Sequence, residues 1–268
     1  MRIDFLSDIH LEFFDDPNGL TLDDTCRYWF RKFAGIRGSV LLIAGDITSS
    51  YQRDRTYVDR FFEMVCERYR QVYAVLGNHD YWNKRIPVTE MKAHYEKQWP
   101  CVRFLENETV LLRPGLRLFG ATWWSFVPPK LRDFAKSEFN DYRKARMKGG
   151  SLSPAFTSEL HERSKIALAQ AVAAHPNDDF IVLSHHAPSM TATKFFQPLF
   201  SNLYCSDDDA FLGEHPQIKV WIHGHLHGKM SYGVAYARVY TNPHGYIPDE
   251  RCIEDDGTSD FEIRSFRI

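Results

Sequence analysis

Five apolar runs in this chain each stop at a cluster of Asp, Asn or His: RIDFLSDIH, VLLIAGD, VYAVLGNHD, FIVLSHH and VWIHGHLH. Short apolar runs bounded by Gly or Ser mark strands buried on both faces, which belong to layered α/β folds. In such sheets, ligands bind beyond the carboxyl ends of the strands. If the five strands share one sheet, their terminal side chains converge on a single crevice.

The intervening segments fit that reading. Residues 20–34 and 54–70 have helical character; the second places Val58, Phe61, Phe62, Val65, Cys66 and Tyr69 on one face, and Gly35 closes the first. With strands at 2–7, 39–44 and 72–76, strand–helix–strand units recur as in a βαβ sheet. A further helix is expected at 87–99, and strands at 109–113 and 116–122 meet at Pro114-Gly115 as a hairpin. Ser153-Pro154 reads as an N-cap and first helical residue, opening a helix to about Ala174. Strands at 180–183 and 219–222 flank an irregular stretch at 188–216 with a short helix, and short strands at 234–237, 239–241 and 261–268 are expected to close a second sheet.

No repeat, low-complexity tract or linker is visible, so residues 1–268 are read as one domain. A flap or cap insertion is expected at about 125–160. Residues 128–150 hold seven Lys or Arg against three acids and end in Gly149-Gly150, although a plain solvated helix fits that composition better.

A net charge of -2 demands neither nucleic acid nor an acidic membrane as partner. No apolar run reaches membrane-spanning length, and the N-terminal MRIDFLSDIH lacks the apolar region of a signal peptide. Cys26, Cys66, Cys101, Cys205 and Cys252 are scattered and never spaced CxxC. Neither a disulfide framework nor a zinc–thiolate site is expected, and a reducing cytoplasm is the simplest compartment.

The strand-end residues form an oxygen and nitrogen donor set without sulfur: carboxylates Asp8 and Asp46, the amide Asn78, and imidazoles His10, His185, His225 and His227. Such a set suits borderline and hard divalent metals. It is too large for one ion and about sufficient for two, with Asp46 the natural bridge because its strand is expected between the others. Bridged ions of this kind serve phosphoryl chemistry.

Singly, each cluster has a bland explanation. Asp46 could cap the next helix, GNHD could be a tight turn, and Asp8-x-His10 a local side-chain turn. His225-x-His227 on an extended segment puts both rings on one side, which suits chelation. Five such accidents in order, each at a strand end, are a far poorer account than one shared site.

The ordered set Asp8-Ile9-His10, Gly45-Asp46, Gly77-Asn78-His79-Asp80, Ser184-His185-His186 and Gly224-His225-Leu226-His227 resembles the motif series of the calcineurin-like metallophosphoesterases, across residues 8 to 227. LFGATWW, FNDYRKAR and TNPHGY resemble segments of a bacterial cytoplasmic subgroup of that family. The resemblance implies an α/β fold, a four-layer α/β/β/α sandwich of two mixed β-sheets flanked by helices, with two divalent metal ions at the strand ends. Manganese is the first expectation, with iron, zinc, nickel or cobalt as alternatives. It further implies that Asp8, His10, Asp46 and His227 hold one ion, and Asp46, Asn78, His185 and His225 the other. His79 would be the general acid, oriented by Asp80. His244 stands where the subgroup often has Arg, which weakens the expectation of an anion contact there.

The expected activity is phosphoester hydrolysis by in-line attack of a metal-bridging hydroxide, with His79 protonating the leaving oxygen. The basic stretch tilts the substrate slightly toward diesters, and the expected partner is a small phosphorylated molecule such as a nucleotide. Trp123, Trp124, Asn140, Asp141, Tyr142, Arg143 and His161 are candidate substrate contacts, the tryptophans fitting a core role better. A tryptophan at the rim could stack on a base. His186 and His223 are expected to face away from the metals. A phosphomonoesterase is the nearest alternative. A nuclease is disfavoured by the lack of a basic groove signature or added module, and a non-enzymatic interaction scaffold by the complete ligand set. The motifs are silent on oligomeric state.

Overall fold

The computed structural model describes residues 1–14, 22–36, 38–49, 51–82, 88–147, 150–194, 201–246 and 261–268. Four parallel strands, β1 (Arg2–Leu6), β2 (Gly38–Ala44), β3 (Tyr69–Val75) and β4 (Val102–Phe104), are linked through α1 (Leu22–Lys32), α2 (Tyr51–Cys66) and α3 (Val88–Gln98). The hairpin β5 (Glu108–Arg113) and β6 (Leu116–Ala121) follows. Then come α4 (Arg132–Glu138), α5 (Asn140–Lys144), the two-residue strands β7 (Arg146–Met147) and β8 (Gly150–Ser151), and α6 (Pro154–Ala174). The chain ends with β9 (Asp179–Ser184), α7 (Asp209–Glu214), β10 (Ile218–His223), β11 (Ser231–Val234), β12 (Ala237–Thr241) and β13 (Arg264–Arg267). Leu20, Thr21 and Pro87 of the expected helices, Lys148 and Gly149 of the expected flap, and residues 195–200 of the irregular stretch lie outside the described residues.

Two mixed sheets result, in orders β13-β1-β2-β3-β4 and β11-β12-β10-β9-β6-β5. Alternation inside the apolar runs builds the layers. Val40, Leu42 and Ala44 of β2 share the inter-sheet core with Ile181 and Leu183 of β9. Leu41 and Ile43 instead pack with Trp29, Val58 and Phe62 of α1 and α2, and Phe180 and Val182 with Leu168 and Val172 of α6. Each sheet is therefore covered by helices outside and by the other sheet inside, which gives four layers and explains why the strands read as unbroken apolar runs. The Ser153 hydroxyl accepts from the Phe156 N–H and caps α6, as expected.

Three expectations are corrected. The five motif strands do not share one sheet: β1, β2 and β3 belong to one, β9 and β10 to the other. β13 does not close the second sheet but pairs antiparallel with β1, where Phe266 packs on Phe5 and covers an apolar edge. Cys66 and Cys101, 35 residues apart, form a disulfide joining the end of α2 to the start of β4, because the α2–β3–α3–β4 path brings their Cα atoms within 5.9 Å. Among the described residues, no helix is long and apolar enough to cross a membrane.

Candidate functional site

The motifs leave their strands through left-handed backbone. Asp8 (φ 52°), His10 (50°), Asp46 (54°) and His225 (66°) are four of the seven non-glycine residues with positive φ among those described. Such conformations persist only where the surroundings enforce them. Here the loops brace one another: the N–H groups of Asp8, His10 and Gly224 donate to the carbonyls of Gly45, Asp46 and His185, each at 3.0 Å. The approach is so close that a Cβ at Gly77 would collide with the Asp46 carboxylate, and one at Gly224 would lie 2.7 Å from Asp8 Oδ2.

The side chains meet in the space this bracing leaves. His227 Nε2 lies 3.4 Å from Asp8 Oδ1 and 3.3 Å from His10 Nε2. Asp46 Oδ2 is 3.7 Å from His10 Nε2, and its Oδ1 is 3.4 Å from His185 Nε2. Asn78 accepts at Oδ1 from His185 Nε2 (2.8 Å), while its Nδ2 donates to Asp141 Oδ1 (2.8 Å). Burial opposes charge on His185, but Asp46 outweighs it and raises the imidazole to about 9. His225 lines the same cavity, its ring 5.1 Å from that of His185, and burial pushes its pKa well down.

His79 and Asp80 divide the work differently from the sequence expectation. Asp80 is buried and accepts from four backbone N–H groups, those of Asp46 and Thr48 at 3.1 Å, Ile47 at 3.1 Å and Gly77 at 2.8 Å. It ties the GD loop to the GNHD loop rather than orienting the His79 ring. The carboxylate at that ring is Glu12, whose Oε1 is 3.2 Å from His79 Nδ1 and 3.1 Å from His10 Nδ1. Burial would raise the Glu12 carboxyl, but bonding to the two histidines holds it at about 2. Sequence reasoning missed Glu12. Its only signal was position, two residues beyond His10 on the same turn.

A cavity of about 380 Å³ opens over this cluster, and Asp46, Asn78, His79, His225 and His227 line it. The rest of the lining is aromatic and acidic: Trp82, Tyr204, Tyr246, Phe139, Glu138 and Asp141, with Asn140. Trp82 stacks on His79 with ring centroids 3.6 Å apart. The expected flap thus contributes Glu138 to Asp141 of α4 and α5, and no Lys or Arg lines the cavity among the described residues. Of the basic charge on which the diester expectation rested, Arg143 donates to the Glu138 carbonyl at 2.6 Å, and Lys144 Nζ sits 4.4 Å from the centroid of the Trp82 ring.

Of the other candidate contacts, only Asn140 and Asp141 line the cavity. Trp123 is buried and donates from Nε1 to Asp208 (3.0 Å), and His161 Nε2 is 3.3 Å from the same carboxylate. Trp124 packs on Tyr81 and His186, and Tyr142 hydrogen-bonds Thr157 at 3.2 Å. His223 is engaged with Gly224 and Tyr232, and His186 lies beside His225 at 4.3 Å. His244 bonds to Tyr28 at 2.6 Å, away from the cavity lining, and burial lowers its pKa to about 4.

The donor set fits divalent metal ions. Asp8 and Asp46 are buried, and their ion-pair partners among the described residues are all histidines. Buried carboxylates so placed favour a cation. Three groups have ligand atoms within 4.8 Å of one another: Asp8, His10 and His227; Asp8, Asp46 and His185; and His10, Asp46 and His79. The first two groups share Asp8, and Asp46 recurs in the second and third.

A family model described as Calcineurin-like phosphoesterase matches residues 1–229. The chain belongs to that family. "Uncharacterized protein L509" of Acanthamoeba polyphaga mimivirus is 22% identical over 280 residues, covering 94% of this chain and 98% of its own. Among solved structures, Phosphopantetheinyl Hydrolase (PptH) from Mycobacterium tuberculosis is similar with TM-score 0.61 at 16% identity, over 91% of this chain and 89% of that one. TT1561 of Thermus thermophilus is similar with TM-score 0.54 at 14% identity, over 90% and 88%. The family match and the structural likenesses show the calcineurin-like phosphoesterase fold, whose four layers agree with the sequence expectation.

Proposed function

We propose that this calcineurin-like phosphoesterase hydrolyses phosphoesters, with a preference for diesters. The observation that carries the reading is the convergence of Asp8, His10, Asp46, His185 and His227 beside a cavity that also exposes His79. Asp8, His10, Asp46 and His227 would hold one divalent cation, and Asp46, Asn78, His185 and His225 the other, with manganese the first choice. When bound, such ions supply charge neutralisation at the phosphate and a nucleophile at neutral pH.

The remaining work falls to the chain's own residues. His79 gives a proton to the leaving oxygen, its ring plane fixed by Trp82 on one face and its Nδ1 engaged by Glu12. Asp141 anchors the amide end of Asn78, which leaves Oδ1 on the side of His185. Diesters are favoured because the described lining holds no Lys or Arg to meet the second negative charge of a monoester, while Glu138 and Asp141 repel it. The aromatic lining residues Trp82, Phe139, Tyr204 and Tyr246 suit a flat or apolar leaving group.

The test is hydrolysis of bis-p-nitrophenyl phosphate and p-nitrophenyl phosphate by manganese-loaded protein and its Asp46→Asn variant. Turnover of the diester that disappears in the variant is the expected result. Faster turnover of the monoester would sink the diester preference, and no turnover of either would sink the reading. A phosphopantetheinyl ester belongs in the subsequent screen because a neighbour in fold is named for that activity.

A further inference from the structure

Glu12 lies on the turn Leu11–Phe13, immediately after the left-handed His10, and is buried beneath two rings. Its Oε1 reaches Nδ1 of His10 at 3.1 Å and Nδ1 of His79 at 3.2 Å. An ionised carboxylate only accepts, so each contact calls for a proton on Nδ1. In a neutral ring that proton leaves Nε2 bare. For His10, Nε2 is the atom beside His227 and Asp46, where a metal donor is needed. For His79 acting as an acid, both nitrogens are protonated: Glu12 takes the Nδ1 hydrogen bond, and the Nε2 proton remains for the leaving oxygen.

We propose that Glu12 is a positioning residue shared by the metal centre and the proton donor, one oxygen fixing tautomer and orientation of His10 and His79 together. The two rings lie edge to face with centroids 4.6 Å apart, in contact with one another as well as with the shared carboxylate. Metal loading and proton delivery are thereby joined through a side chain that needs to touch neither metal nor substrate. The His79 half of the proposal rests on the phosphoesterase reading; the His10 half does not.

The experiment compares wild type with Glu12→Ala and Glu12→Gln, after circular dichroism has shown each to be folded. Side-chain nitrogen–proton NMR of the metal-free proteins reads the tautomers, titration with manganese reads affinity, and diesters with good and poor leaving groups read proton delivery. In Glu12→Ala the Nδ1–H signature of both rings is lost, manganese affinity falls about 10–100-fold, and the rate falls more for the poor leaving group than for nitrophenolate. Glu12→Gln, which keeps shape and loses charge, shows the same trends more weakly and carries the test if the alanine variant does not fold. Unchanged manganese affinity and tautomers in a folded variant overturn the role of Glu12. Wild type that binds manganese yet hydrolyses no ester overturns the phosphoesterase reading and the His79 half with it.

Discussion

His79 is held by a ring on one side and a carboxylate on the other, an arrangement that immobilises an acid without removing it from the cavity. The His79→Ala variant should therefore lose about 10²–10⁴-fold in rate on a diester with an alkoxide leaving group, and much less on nitrophenyl esters. Its manganese content, read by elemental analysis, should match wild type. Loss of metal would make His79 a ligand, a role its place beside His10 and Asp46 also permits sterically. At this scale the donors were legible because each follows an apolar run. Glu12 was not, because no spacing rule says which of two nearby acids reaches a given ring. Asp80 is adjacent to His79 in the chain, yet its oxygens turn toward the N–H groups of Asp46, Ile47 and Thr48 in another loop.

At the scale of elements, the disulfide pins the last residue of α2 to the residue before β4. Both elements lie against β3, so the crosslink closes a loop of 35 residues around part of the first sheet. Loop-closure entropy puts its contribution at about 3–4 kcal/mol. Cys66→Ser with Cys101→Ser should lower the urea midpoint by a corresponding amount while leaving manganese affinity unchanged, since neither cysteine lines the cavity. An unchanged midpoint would show that the bridge is not formed in solution. Helices and strands were legible here from period and caps: Ser153, the Pro114-Gly115 turn and the face of α2 each announce themselves. The partner of a short strand does not. Nothing in residues 264–267 distinguishes the edge of β1 from the edge of the other sheet, and scattered cysteines do not reveal which two elements a fold will bring together.

Across the whole molecule, the putting together of two sheets creates the centre. Asp8, His10, Asp46 and Asn78 come from the first sheet, and His185, His225 and His227 from the second. A cation held by both sets binds the native chain and not its separated halves. Manganese at about 100 times its dissociation constant should then add about 2.7 kcal/mol of stability. For a chain of this size that is a rise of about 5–10 °C in melting temperature, measured by calorimetry with and without chelator. A melting temperature indifferent to manganese would mean that the donors do not form a preorganised site. The same division has a consequence in time. His10 and His227 are 217 residues apart, so at ordinary elongation rates a ribosome needs about 10–40 s to deliver the second after the first. Between Asn78 and His185 the nascent chain carries four of the seven donors, and the set is completed late in synthesis, when the second sheet docks on the first.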